Sequence, residues 1–158
     1  MTSKSLTWTG DAVIEKMRRA EIVGVNATMG AAVKHAKANH PWKNRTGILE
    51  GAINILGYAA PTGTGVEGHW GVNDAVQARI LELGGVIKPK NAKALAIPDG
   101  EGGVRYVASV TIPAYPYLRP AGDEEYPALI QRIRRAYEKE GGDPADVQGQ
   151  ITAGGGDV

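Results

Sequence analysis

Apolar side chains recur at Val13, Met17, Val25, Met29, Val33 and Ala36, with Lys16, Arg18, Arg19, Lys34 and Lys37 set between them. That spacing is the period of one long amphipathic helix, opening near Thr9-Gly10-Asp11 and stopped by Asn39-His40-Pro41. Thr9 or Asp11 can cap its first turn by accepting an orphan amide. Gly24 and Gly30 each weaken a helix by about 1 kcal/mol relative to Ala, so a kink or a close helix contact is expected there.

Beyond the loop 42–47, the aliphatic run Ile48 to Tyr58 predicts a strand ending at the turn Pro61-Thr62-Gly63-Thr64-Gly65, with a second strand around Glu67 to Val72. Asn73-Asp74 predicts the opening of a short helix with Val76, Ile80, Leu81 and Leu83 on its apolar face, stopped by Gly84-Gly85. Val86-Ile87 and Ala94 to Ile97 then read as a strand pair across the basic turn Lys88 to Lys93. From Val104 to Ile112 strict alternation puts Val104, Tyr106, Ala108, Val110 and Ile112 on one face, predicting a single long strand. Prolines 113, 116 and 120 interrupt regular structure. A final helix is expected from about Asp123 to Lys139, acidic at its start and basic at its end, the order that the helix dipole favours.

These elements define an α+β class: a long N-terminal helix and a C-terminal helix packed on an antiparallel sheet, with a short inserted helix. The expected organisation is an N-terminal arm at 1–10, one domain at 11–140, and a Gly/Asp-rich tail at 141–158 with almost nothing to bury. No internal repeat is present.

Composition narrows the chemistry. The 158 residues contain no Cys and no Phe, so the core must be aliphatic with help from Trp8, Trp42, Trp70 and six tyrosines. Disulfides, thiolate nucleophiles and cysteine-bearing zinc sites are excluded. No apolar run approaches membrane-spanning length, and the polar start Met1 to Ser5 leads into no apolar signal core, so a soluble protein made in the cytoplasm is expected. The net charge of +1 lacks the basic excess usual for a dedicated nucleic-acid binder. Charge is nevertheless uneven: residues 1–60 hold eight Lys or Arg against four Asp or Glu, whereas 141–158 hold three Asp and no base.

Candidate chemical motifs each meet a simpler explanation. Gly63 to Gly68 matches GxGxxG, but a strand rather than a helix follows it, so a hairpin tip is expected instead of a dinucleotide site. His35 and His40 are five apart and do not share a helical face, which disfavours a metal site, and His69 has no carboxylate at a telling spacing. Ser109 sits mid-strand, a poor place for a nucleophile. Arg132, Arg134 and Arg135 read as a solvated helix face paired with Glu138. Lys43 with Arg45, and Lys88 with Lys90 and Lys93, could touch phosphates. No catalytic, metal or cofactor constellation is read from the sequence. Two readings of other classes stay open: a DNA-binding accessory protein, from the basic N-terminal half, and a small hydrolase or nucleotide enzyme, from GxGxxG with the three histidines.

Three segments, in this order, carry a resemblance: Asn44 to Ile53, containing Thr46-Gly47-Ile48-Leu49; Ala75 to Gly85, containing Glu82-Leu83-Gly84; and Ile112-Pro113-Ala114-Tyr115-Pro116-Tyr117-Leu118-Arg119-Pro120-Ala121. Together they resemble the tail-completion, or head-to-tail joining, proteins of long-tailed bacteriophages, of HK-ninety-seven gene-ten type. The resemblance spans residues 11 to 140. Ala52, Gln77 and Tyr115 depart from the family pattern and leave a minor-head or virion-morphogenesis role as an alternative.

What the resemblance implies is a structural virion protein of the neck, without enzymatic activity or cofactor. It would form a ring with itself, typically a hexamer, between the head connector or stopper and the tail terminator or tail tube, in incidental contact with packaged DNA and with no membrane. Interface contacts are expected at Trp42, Lys88, Pro89, Lys90, Tyr115, Tyr117, Leu118 and Arg119. For Tyr117 and Leu118, burial inside the monomer is the competing expectation.

Overall fold

The computed structural model describes residues 9–73 and 76–140. The expectations for Trp8, for Asp74 in the opening of the short helix, and for the N-terminal arm before residue 9 and the tail at 141–158 lie outside the described residues. Along the chain run α1 (Gly10–Ala38), α2 (Ile48–Ala52), β1 (Ile53–Pro61), β2 (Val66–Val72), α3 (Val76–Leu83), β3 (Gly85–Ile87), β4 (Leu95–Pro98), β5 (Val104–Val107), β6 (Val110–Ile112) and α4 (Leu118–Glu125). A 3-10 turn (Tyr126–Ala128) and α5 (Leu129–Lys139) complete the described chain. The class is α+β, with small antiparallel ribbons in place of one sheet: β1 pairs with β2, β3 with β6 and β4 with β5.

Three strand expectations are corrected. Ile48–Ala52 forms a helical turn before β1 begins. Its entry is set by side chains, since Asn44 Oδ1 accepts the Gly47 amide at 2.8 Å and Gly51 N–H donates to the Gly47 carbonyl at 2.8 Å. The long alternating strand breaks at Ala108-Ser109 into β5 and β6. The break inverts the phase: Val104 and Tyr106 are exposed, Tyr106 at 73%, whereas Val107, Val110 and Ile112 are half-buried.

The two halves also take different partners, so β3 and β4 do not pair across the basic turn. Antiparallel β3 and β6 align Gly85 with Ile112 and Ile87 with Val110. Antiparallel β4 and β5 align Leu95 with Val107 and Pro98 with Val104. A local turn decides this: Asp99 Oδ1 accepts the amides of Glu101 at 3.0 Å and Gly103 at 2.8 Å, while Asp99 N–H donates to the Gly103 carbonyl at 3.1 Å. An Asp that folds its own loop closes a hairpin at lower entropic cost than the longer loop 88–94.

The last helix is corrected as well. Helix starts at Leu118, five residues before the expected position, and is interrupted by the 3-10 turn at Pro127. Asp123, Glu124 and Glu125 therefore end α4 instead of opening a helix.

The chain forms two compact units, each built from separated stretches. Of the described residues, the first comprises 9–31, Ile55–His69 and 125–140. Here α1 buries Ala20, Gly24, Thr28 and Met29, while Met17, expected on the buried face, is exposed. Small side chains at spacing four let a neighbouring helix approach closely. A Cβ on Gly24 would lie 2.4 Å from Ile133 Cγ1 and 2.9 Å from the Ile133 amide nitrogen. Close contact, one of the two expected consequences of glycine there, is thus the realised one.

Polar groups tie the same elements. Thr28 Oγ1 donates to the Gly24 carbonyl at 2.8 Å and accepts from Arg132 Nη1 at 3.3 Å. Arg132 also reaches the Glu125 carbonyl at 3.0 Å and pairs with the Glu125 carboxylate. Half-buried Arg132 is accordingly a packing strut in place of the solvated side chain expected for the arginine cluster of this helix. Asn26 Oδ1 accepts the Ala59 amide at 2.8 Å, joining α1 to β1. Lys16 Nζ lies 4.1 Å above the Tyr137 ring, and Arg19 pairs with Glu140 at 3.1 Å.

The second unit comprises Ala32–Asn54 and Trp70–Glu124. Its core is Ala36, Ile53, Tyr117 and Ala121, surrounded by Val33, Trp42, Trp70, Val72, Leu81 and Leu118. Trp42 and Trp70 supply the bulk that phenylalanine would otherwise bring. The hairpin tip falls where GxGxxG suggested: Thr62 N–H donates to the Gly65 carbonyl at 2.8 Å, and β2 follows directly.

Two glycine substitutions on α1 should behave oppositely. Gly24→Ala meets backbone of α5 and should lose about 1–2 kcal/mol net, overpacking outweighing helix propensity. Gly30→Ala, with nothing within 4 Å of its added carbon, should gain up to about 1 kcal/mol. Urea unfolding midpoints at unchanged slope measure both.

Candidate functional site

Within the second unit the chain from α3 to α4 is fastened at one joint. Helix α3 ends at Leu83, and Gly84 takes φ of 69°, the left-handed conformation that terminates a helix and that glycine adopts without steric cost. A Cβ there would also lie 2.8 Å from the Ala114 nitrogen and 3.0 Å from the Ile112 carbonyl. The chain thus turns directly into β3 and pairs with β6.

From β6 the chain runs through Pro113 to Pro116 without regular structure. Tyr115 N–H donates to the Leu81 carbonyl at 2.6 Å, one of the carbonyls left open at the end of α3. Glu82 then reaches the start of α4. Its Oε2 accepts the amides of Tyr117 at 2.8 Å and Leu118 at 3.0 Å, and its Oε1 accepts that of Arg119 at 2.9 Å.

A helix start leaves four amides without intrahelical partners. Here Glu82 takes three of them, and the next residue, Pro120, has no N–H to satisfy. A carboxylate at a helix N-terminus is further favoured by the dipole. Proline inside the first turn explains why α4 begins ahead of the expected boundary: its fixed φ suits that position.

The joint orients what lies beneath it. Tyr117, at 1% exposure, is the largest fully buried side chain among the described residues, and Trp42 packs beside it at a ring separation of 5.1 Å. Among the described residues neither the Tyr117 hydroxyl nor the Trp42 Nε1 has a hydrogen-bond partner. Burial, and secondarily the negative charge of Glu82, pushes the Tyr117 hydroxyl up from 10.0 to about 12.

The loop before α2 is pinned by His40, whose Nδ1 lies 2.9 Å from the Trp42 carbonyl oxygen. An oxygen there can only accept, so Nδ1 carries the proton and donates. His40 Nε2 lies 3.8 Å from Glu50, which Asn44 Nδ2 also contacts. This histidine holds a loop. His69, in the first unit, has a carboxylate neighbour that the spacing did not flag: Glu67, two residues back on the same strand side, at 3.4 Å and well exposed. No cluster of metal-ligating side chains occurs among the described residues.

Beside the joint lies a groove of about 340 Å³ lined by Trp42, Lys43, Asn44, Arg45, Thr46, Ile48, Leu49, Gln77 and Leu81. Among the described residues its lining carries two cations, Lys43 and Arg45, and no carboxylate. Ile48 stands 66% exposed at its rim.

The expected interface residues separate in this setting. Tyr117 belongs to the core, so its side chain is not available to a partner, and Leu118 is half-buried against the same core. Trp42 is half-buried and lines the groove. Lys88 and Lys90 are exposed and Pro89 half-buried in the loop after β3, while Tyr115 is 38% exposed and Arg119 is exposed. The part played by Glu82 and the groove walls Leu49, Gln77 and Leu81 were not read from the sequence. A carboxylate just before a Gly-Gly helix stop is a weak hint, because its partners lie 35 to 37 positions away. Comparison with known protein families, with curated proteins and with solved structures finds no match to this chain.

Glu82→Ala should cost about 2–3 kcal/mol, since it removes the acceptor for three amides, and Glu82→Gln should cost less because one oxygen remains; chemical denaturation measures both. Tyr117→Phe should be at least as stable as the parent at neutral pH, because the deleted hydroxyl has no partner to lose. In the parent, the unfolded tyrosine ionises near 10 and the folded one near 12. The stability held by the neutral form is intact below pH 10 and is lost as pH rises toward 12. Tyr117→Phe should lack that part of the alkaline slope in unfolding curves.

Proposed function

We propose that this chain is a structural subunit of a tailed-phage virion, a tail-completion protein that forms a ring in the neck between the head connector and the tail tube. The observation that carries the reading is the Glu82 joint. All three segments with family resemblance belong to the second unit. The second segment holds the third through Glu82 and Leu81. Thr46, Ile48 and Leu49 of the first line one groove with Gln77 and Leu81 of the second. Segments that resemble one family in order, and also fold onto one another, support a shared structural element over three coincidental likenesses.

The physical character of the element suits assembly. Prolines 113, 116 and 120 and the amide clamp stiffen the connector into α4, which lowers the entropy lost when its exposed residues dock. Tyr115, Arg119, Lys88 and Lys90 are the side chains left to make such contacts. No helix among the described residues is long and apolar enough to cross a membrane.

Native mass spectrometry and negative-stain microscopy of purified virion necks test the reading. The expected result is this chain as a ring of uniform stoichiometry, six in the family pattern, at the head-to-tail junction. A chain found only free of particles, and always monomeric, would sink it. Salt-sensitive binding to short DNA duplexes, strong at low salt and steeply lost on salt addition, would favour the DNA-binding alternative.

A further inference from the structure

We propose that the groove beside Trp42 receives the acidic segment 141–158 of a neighbouring copy of this chain. The inference rests on the ring reading and names the contact that would link one subunit to the next.

Among the described residues the groove's lining offers Lys43 and Arg45 and no carboxylate, the nearby Glu50 being taken up by Asn44 and His40, and apolar surface from Trp42, Ile48, Leu49 and Leu81. Ile48, a large side chain left 66% exposed, marks the rim as incompletely covered. Residues 141–158 have the matching character, with Asp143, Asp146 and Asp157, no Lys or Arg, and only Val147, Ile151 and Val158 as branched apolar side chains. In an extended conformation Asp143, Val147 and Ile151 share one side, since alternate residues point the same way. That side would set Asp143 toward the cations and the two aliphatic residues toward Ile48 and Leu49.

Reach is ample. The segment follows α5, which ends at Lys139, and eighteen residues can extend to about 60 Å. The symmetry consequence favours a neighbour's segment. A contact between the segment of one copy and the groove of the next is heterologous, and such contacts repeat until a ring closes. The exposed pairing of Asp143 with the cations and a few apolar contacts make each link weak, so links accumulate only where subunits are already gathered.

Complementation between full-length variants tests this. K43E/R45E spoils the groove and keeps the segment; D143K/D146K spoils the segment and keeps the groove. Sedimentation equilibrium and hydrogen exchange over 43–49 and 145–151 provide the readouts. In concentrated parent protein both stretches should be slowed and copies should self-associate, and each variant alone should associate roughly tenfold more weakly. Mixing the two should restore association between unlike copies, with protection in the groove of one and the segment of the other. The quadruple charge swap K43E/R45E/D143K/D146K should self-associate again.

Three results would overturn the proposal: protection that does not depend on concentration and is not restored by mixing; variants that associate like the parent; or a changed groove with no change in 145–151, which would assign the groove to another acidic partner. A chain missing from virion necks would defeat the ring reading while leaving these measurements intact, so the two failures are distinguishable.

Discussion

Three backbone amides at the start of α4 converge on one carboxylate, that of Glu82, and the architecture of the second unit follows from that convergence. Left uncapped, the partly buried amides of Tyr117 and Leu118 would carry a desolvation cost with nothing to offset it. With Glu82 in place, the first turn of α4 is complete, Pro120 occupies a first-turn position where a missing N–H is harmless, and Tyr117 packs in the core with Ile53 and Ala121. The arrangement has a cost. The hydroxyl of Tyr117 is buried without a partner among the described residues, and burial, with the negative charge of Glu82 second, disfavours its ionisation.

The same logic of distant partners governs the first unit. Helix α1 carries its larger apolar residues to several faces, and small residues and Met29 are what it buries. Close approach of α5 at Gly24 brings Arg132 within reach of Thr28, whose hydroxyl is already committed to the helix backbone. Arg132 also balances Glu125, which sits at the unfavourable end of α4 with respect to the helix dipole. An acid that looks like a helix-opening signal in sequence is therefore compensated by a base seven residues later.

Strand pairing shows how local chemistry can outrank pattern. Alternation from Val104 to Ile112 is real, yet it is divided, because each half has a nearer partner than the other half could share. Asp99 closes its own hairpin, and Gly84-Gly85 delivers β3 to β6. The resulting two-stranded ribbons leave Val104, Tyr106 and Val86 exposed. Such apolar exposure is ordinary singly, and it becomes informative at the groove, where it is combined with cations of one sign.

Some features of this protein were determined by the sequence alone, because their causes lie within a few residues. The bounds of α1, the stop at Gly84, the hairpin tip at Thr62 to Gly65 and the α+β class come from periodicity, helix-ending glycine and proline, and turn residues acting locally. Tertiary structure alone decided which row of α1 is buried, where α4 begins, and that Lys43 and Arg45 flank a groove with Gln77 and Leu81. These depend on groups far along the chain, such as Glu82 for Tyr117, 35 positions away, or Thr28 for Arg132, 104 positions away. No spacing rule reaches that far, since the chain between the two groups must fold before either can act on the other.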